Sequence, residues 1–218
     1  MQQRSEEWFA ARLGAVTASR VADVVAKTSK GWGAGRANYM AQLIAERLTG
    51  ERQETFSSAA MQHGTDTEDE ARDAYAFYRD ATVVEASFVP HPSIAEAGAS
   101  PDGFVGDDGL LELKCPNTAT HLDTLERENV PSKYIKQMQW QMACTGRKWV
   151  DFASYDPRLP EPMRLFVKRV DRDDEMIADL ENAVADFLEE VRKRVSDMRK
   201  RFDLEPPANI ETQYLMAG

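Results

Sequence analysis

The stretch Ala99-Ser-Pro-Asp102-Gly-Phe-Val-Gly106-Asp-Asp-Gly109-Leu-Leu-Glu112-Leu-Lys114-Cys-Pro116 decides the reading of this chain. Two short apolar runs flank Gly106-Asp107-Asp108-Gly109, whose Gly and Asp residues accept the positive φ angles of tight turns, so a β-hairpin is expected. Along Leu111-Glu112-Leu113-Lys114-Cys115 the side chains alternate across the strand. Glu112 and Lys114 therefore share one face, and Leu111, Leu113 and Cys115 the other. Asp102 enters the first strand, and the fold-back brings its carboxylate beside Glu112. Two carboxylates and an ammonium then converge at the edge of an apolar sheet.

That combination suits phosphodiester hydrolysis. Hard Mg²⁺ takes oxygen ligands, usually one or two carboxylates with phosphate and water, and a metal-bound water is more easily deprotonated. A nearby lysine can orient or activate that water and counter charge developing on the phosphate. A lone Glu-x-Lys is more often a surface ion pair. Preceded at hairpin distance by Pro-Asp-Gly and embedded in Leu-Glu-Leu-Lys-Cys-Pro, it is far more specific.

The stretch resembles the PD-(D/E)xK nucleases, and within them the phage lambda exonuclease family of recombination exonucleases. The resemblance extends from Trp8-Phe-Ala-Ala-Arg12-Leu-Gly-Ala-Val-Thr17-Ala-Ser19 through Gly64-Thr-Asp-Thr-Glu68 to Phe152-Ala-Ser-Tyr-Asp-Pro-Arg158. It implies a metal site made by Glu68, Asp102, Glu112 and the Leu113 carbonyl, holding two Mg²⁺ ions for which Mn²⁺ substitutes. Lys114 would activate or orient the attacking water and Gln137 would position it. Arg12, Ser19 and Ser100 fall on family positions that hold the 5′-phosphate of the digested strand. Met61 falls where the family carries an apolar wedge between the strands. The family's minor-groove arginine has no match, since Ser29 takes its place beside Lys30.

At 218 residues the chain fits one domain, residues 1–218, with an extended tail over 202–218. No apolar run is long enough to span a bilayer, and a cytoplasmic protein is expected. Cys115 and Cys144 lack a zinc spacing and read as small buried hydrophobes. The formal charge of −10 argues against a protein that coats itself in DNA. Acidic residues such as Glu181, Asp186, Glu189 and Glu190 lie far from the motif in sequence, whereas Lys27, Lys30, Arg36, Lys133 and Lys136 lie in segments expected to flank it.

Around the hairpin, Ser5 caps a short helix that Gly14 ends, Thr17 or Ala18 opens a second, and Asn38 caps a third running to Gly50. Thr28 to Arg36 reads as a mobile basic loop. Arg12, at the end of the first helix, faces the hydroxyls of Thr17 and Ser19; by spacing alone it is a phosphate ligand or a structural arginine. A long helix over 58–78 is crowded by Glu68, Asp69, Glu70 and Asp73, among which composition selects none. Thr82 to Val89 reads as a strand. Helices follow over Thr118–Arg127 and Lys133–Thr145, the second with Gln137 and Gln141 one turn apart on a polar edge. Two strands, Trp149–Tyr155 and Met163–Val170, precede an amphipathic helix from Asp173 onward.

The expected fold is a single α/β domain with a central mixed sheet of about five strands flanked by helices. The expected function is Mg²⁺-dependent exonucleolytic digestion of one strand of double-stranded DNA. The resemblance makes it 5′ to 3′, processive and productive of 5′-mononucleotides, leaving 3′ single strands for a partner annealing protein. It also implies a homotrimeric ring around DNA. Two rivals share the motif: an endonuclease, and a non-catalytic module that binds DNA ends. The second has no reason to keep two carboxylates facing a phosphate.

Overall fold

Glycine and aspartate place the turn. In the computed structural model, which describes residues 3–29, 31–53 and 59–205, Gly103–Val105 pairs antiparallel with Gly109–Lys114. Val105 lies opposite Gly109, and Gly106 takes the positive φ of 54° that the turn demands. In chain order the preceding elements are α1 (Glu6–Arg12), β1 (Val16–Thr17), a 3-10 turn at Ala18–Arg20, α2 (Val21–Val24), β2 (Lys27–Thr28), β3 (Gly31–Trp32) and α3 (Ala34–Thr49). Then come α4 (Ala59–Arg79), β4 (Val83–Val84), β5 (Val89–Pro90), β6 (Ala97–Ala99) and the hairpin strands β7 and β8. The chain continues through α5 (Thr118–Arg127), α6 (Ser132–Thr145), β9 (Trp149–Tyr155), β10 (Leu165–Asp171) and α7 (Asp174–Phe202).

The central sheet has five strands in the order β10-β9-β8-β7-β4, with β8 and β9 parallel and the other pairs antiparallel. The mixed five-stranded sheet read from sequence is thus present. A parallel pair requires a crossover, which α5 and α6 supply. Strand alternation then sorts the two faces. Leu110, Val150 and Phe152 pack against Met138 and Met142 of α6, while Leu111, Leu113, Ala153 and Tyr155 pack against Ala71 and Tyr75 of α4. Glu112 and Lys114 share the face of Leu110, so they point toward α6. A third cluster joins Tyr39 and Leu43 of α3, Trp140 of α6, and Val184, Phe187, Leu188 and Val191 of α7. The Asp173 carboxylate caps α7 by accepting the Met176 N–H at 3.0 Å.

Four expectations change. The run Thr82–Val89 is divided between sheets: β4 joins the central sheet, while β5 is an edge of a small sheet ordered β1-β6-β5. Pro90 has no N–H for an interior ladder, and an edge tolerates that. Helix α3 begins at Ala34 behind Gly33 rather than at Asn38. The reason is tertiary. Arg36 is buried, donates to both carboxylate oxygens of Glu190 at 2.6 and 3.1 Å, and lies over the Trp32 ring at 4.2 Å. The expected mobile loop is therefore a β2–β3 hairpin and a helix start, and Arg36 is withdrawn from the cations expected to meet DNA. Lastly, Phe202 belongs to α7 and not to an extended tail. The rest of that tail beyond 205, Lys30 and the side chain of Met61 lie outside the described residues.

Candidate active site

The end of the β7–β8 ladder builds the first half of the site. Asp102 sits one residue before β7. Its N–H donates to the Leu111 carbonyl at 3.1 Å, and its Oδ2 accepts the Leu113 N–H at 2.7 Å. Across the strand Glu112 is only 1% exposed, and a carboxylate so buried needs partners for both oxygens. It has them. Oε1 accepts from the Lys114 ammonium and from Gln137 Nε2 at 2.5 Å, and Oε2 accepts from Gln141 Nε2 at 2.5 Å. The two glutamines are four residues apart on α6 and so present one face to the strand. Lys114 also lies over the Tyr134 ring at 5.3 Å.

These charges perturb one another. Burial, then the Glu112 and Glu68 carboxylates, push the Asp102 carboxyl up to about 8, with Lys114 opposing. Burial alone would lower the Lys114 ammonium, but Glu112 and Asp102 hold it above the usual lysine range. Lys114 therefore stands as a cation. Glu68 reaches the site from α4, whose backbone passes the end of β8 at Gly64, where a Cβ would sit 3.8 Å from the Cys115 carbonyl oxygen. Its carboxylate is turned to Arg4 at 2.5 Å and Arg72 at 3.3 Å. Both cysteines are free; Cys144 is buried and Cys115 half-buried, its thiol pushed up to about 12 by burial and by Glu68.

The second half of the site is a cavity of about 420 Å³ between α1 and α3, lined among others by Trp8, Arg12, Thr17, Ser19, Arg20 and Arg52. Arg12 donates to Ser100 Oγ at 2.9 Å, as does Trp8 Nε1 at 3.0 Å, while the guanidinium lies 4.0 Å over the Trp8 ring. With its oxygen accepting twice, Ser100 keeps its O–H to donate to a ligand. Ser19 is exposed on another wall, 3.4 Å from Thr17 Oγ1. Burial and then the nearby Arg52 cation pull Arg12 down to about 10. Among the described residues no carboxylate pairs with Arg12. The pocket's Glu46 is already engaged by the Gly14 N–H at 2.9 Å and Gln42 at 2.8 Å.

The profile of a family described as "YqaJ-like viral recombinase domain" matches residues 7–148, a span that holds both halves of this site. The chain belongs to that family. It is the phage lambda exonuclease group that the sequence resembles. An alkaline exonuclease from Laribacter hongkongensis, LHK-Exo, is 52% identical with a TM-score of 0.85, over 90% of this chain and 97% of that one. The same protein in complex with dAMP gives 52% identity and a TM-score of 0.86 over the same shares. A phage-related exonuclease from Haemophilus somnus 129PT shares the fold, at 14% identity and a TM-score of 0.69 over 84% of this chain and 96% of that one. No curated protein matches the chain. As a member of this exonuclease family, the chain is an exonuclease.

Whether such a site fits a metal ion is decided by its donors. Among the described residues no three His, Cys, Asp or Glu side chains are arranged to hold an ion as they stand. Glu68 faces arginines and Glu112 faces Lys114, Gln137 and Gln141. The chemistry nevertheless fits. Every candidate donor is oxygen, which suits a hard cation, and the carboxylate repulsion that adds to burial in raising Asp102 is what a divalent charge relieves. The sign of that shift gives a test. Between its ordinary 3.8 and about 8, folded Asp102 holds a proton that the unfolded chain has released. Its contribution to metal-free stability is thus full below the lower value and lost as pH rises through the upper. In EDTA the melting temperature of wild type should fall between pH 5 and pH 9 by roughly 5–10 °C more than that of Asp102→Asn. Equal slopes would remove the shift.

Sequence reasoning assigned Asp102, Glu112, Lys114 and Gln137 to one cluster, and the structure brings all four together. Arg12 and Ser100 are likewise in contact. Two participants were missed. Gln141 is fully buried, and its Oε1 is a buried acceptor without a partner among the described residues; its four-residue spacing from Gln137 was the available signal. Trp8, four residues before Arg12, was the other. Gln141→Leu should leave a buried carboxylate oxygen without its donor and lower stability by about 1–3 kcal/mol in urea unfolding. An unchanged midpoint would mean that Gln137 and Lys114 suffice.

Proposed function

We propose that this exonuclease digests one strand of double-stranded DNA from its 5′-phosphorylated end, in a Mg²⁺-dependent reaction that releases 5′-mononucleotides and leaves a 3′ single strand. One observation carries the reading: Ser100 and Asp102 are two residues apart. Extended chain spans at most about 7 Å over that interval, the scale of one nucleotide step. A terminal phosphate held by Arg12 and Ser100 then sets the first phosphodiester beside Asp102 and Glu112. Glu68, Asp102, Glu112 and the Leu113 carbonyl would hold the metal, with Mn²⁺ able to substitute. Bound there, the metal supplies Lewis-acid polarisation of the phosphate and a more acidic water. Lys114, kept cationic chiefly by the Glu112 carboxylate, orients the nucleophile and counters charge developing on the phosphate. Gln137 bridges from Glu112 to the nucleophile.

The test uses linear duplex labelled separately at each 5′ and each 3′ end, with and without Mg²⁺. The 5′ label should leave first, as a mononucleotide, and only with metal. Early loss of the 3′ label, or cutting of a covalently closed circle, would overturn the reading. A ring-shaped homotrimer and an annealing protein that takes up the 3′ strand complete the proposal. Light scattering should give the mass of three chains.

A further inference from the structure

The cavity beside Arg12 carries more positive charge than one phosphate oxygen requires. Arg52 lies on its rim, exposed, with its guanidinium 4.2 Å over the Phe9 ring. Phe9 in turn meets Trp8 edge to face at 5.0 Å, and Trp8 carries Arg12 on its own ring. Two aromatic rings thus hold two guanidiniums at one cavity. Among the described residues neither arginine has a carboxylate partner, whereas the third arginine of the cavity, Arg20, is paired with Asp23 at 2.6 Å. Burial is the main cause of the lowering of Arg12, and Arg52 adds to it by a repulsion that a bound anion relieves. Two guanidiniums without carboxylate partners at one cavity are suited to receive an anion.

We propose that Arg52 is a second arm of this pocket and that the Arg12–Arg52 pair selects a terminal phosphomonoester over the internal phosphodiesters of the strand. This rests on the reading of the cavity as the 5′-phosphate site. The discriminating quantity is charge. A phosphomonoester carries about −1.5 to −2 at pH 7 because its second pKa is near 6, while a phosphodiester carries a single negative charge. Two guanidiniums match the first and overcompensate the second. The volume fits the same reading, since about 420 Å³ accommodates a phosphate and part of the terminal nucleoside and does not force the arginines onto one oxygen. Because Arg52 is exposed and rests on Phe9, its removal leaves the core untouched.

The test needs no catalysis. In EDTA at pH 8, inorganic phosphate and dimethyl phosphate are titrated into wild type, Arg12→Ala, Arg52→Ala and Arg52→Lys, with calorimetry and melting temperature as readouts. Wild type should bind inorganic phosphate and respond little to dimethyl phosphate. Arg52→Ala should bind inorganic phosphate about tenfold more weakly, the low end for a charged hydrogen bond because the residue is exposed, with dimethyl phosphate unchanged. Arg52→Lys, which keeps the charge without the fork, should fall between. Arg52→Ala binding phosphate as wild type does, while Arg12→Ala fails to, overturns the role of Arg52 and leaves the phosphate site standing. Wild type that ignores phosphate overturns both.

Discussion

Lys114→Met should reduce cleavage of linear duplex DNA by about 10²–10⁴-fold, the usual worth of a positioned proton-transfer or charge-bearing group. Methionine keeps the length of the side chain and removes only the ammonium. What remains is informative. Glu112 still has Gln137 on Oε1 and Gln141 on Oε2, so the carboxylate stays oriented even though its cation is gone. The oxygen donors for metal are untouched, and DNA binding measured in Ca²⁺, which is larger and less demanding in geometry, should change little. Removing one partner of a buried ion pair carries a stability cost of about 3–5 kcal/mol, which the two glutamines and the bound cation should blunt. Melting curves with and without Ca²⁺ therefore accompany the rates. Near wild-type turnover by a folded Lys114→Met protein would sink the role assigned to this lysine.

The hairpin was legible because two independent codes agree on it: turn residues at Gly106 to Gly109, and strict alternation over Leu111 to Cys115. Alternation also foretold that Glu112 and Lys114 share one face and Leu111 and Leu113 the other, and the structure sets α6 on the first and α4 on the second. Helices α5 and α6 and strand β9 were legible for similar reasons, each bounded by a cap, a proline or a glycine. What failed was decided at long range. No local signal says that Arg36 is drawn inward by Glu190, 154 residues away, and that pairing moves the start of α3. No local signal divides Thr82–Val89 between two sheets. In the site, sequence spacing gave the residues on the hairpin but not Gln141, because a polar residue on a helix edge is ordinary until the strand opposite presents a carboxylate. Some of the acidic residues are engaged by arginines within the chain, as Glu190 is by Arg36 and Glu96 is by Arg47 and Arg192. Those arginines are thereby held within the chain.

If Arg12 and Ser100 hold that end, 5′-phosphorylated duplex should be degraded much faster than 5′-hydroxyl duplex, by about 10–100-fold for the loss of charge-assisted hydrogen bonds. Arg12→Ala deletes the same contact from the protein side. The two defects should therefore not multiply: Arg12→Ala acting on a hydroxyl end should be little worse than either defect alone, because interacting partners are non-additive. Ser100→Ala should give a weaker form of the same pattern, since a neutral hydroxyl contributes less than a guanidinium, and it also frees Arg12 and Trp8 from the oxygen that orients them. Ser19→Ala, exposed on the far wall, should be weaker still. Initial rates at fixed salt for wild type and Arg12→Ala on both ends decide the matter. Fully multiplicative losses would mean that Arg12 serves only to pack α1 through Trp8, and the phosphate would have to be sought at other cations of the cavity.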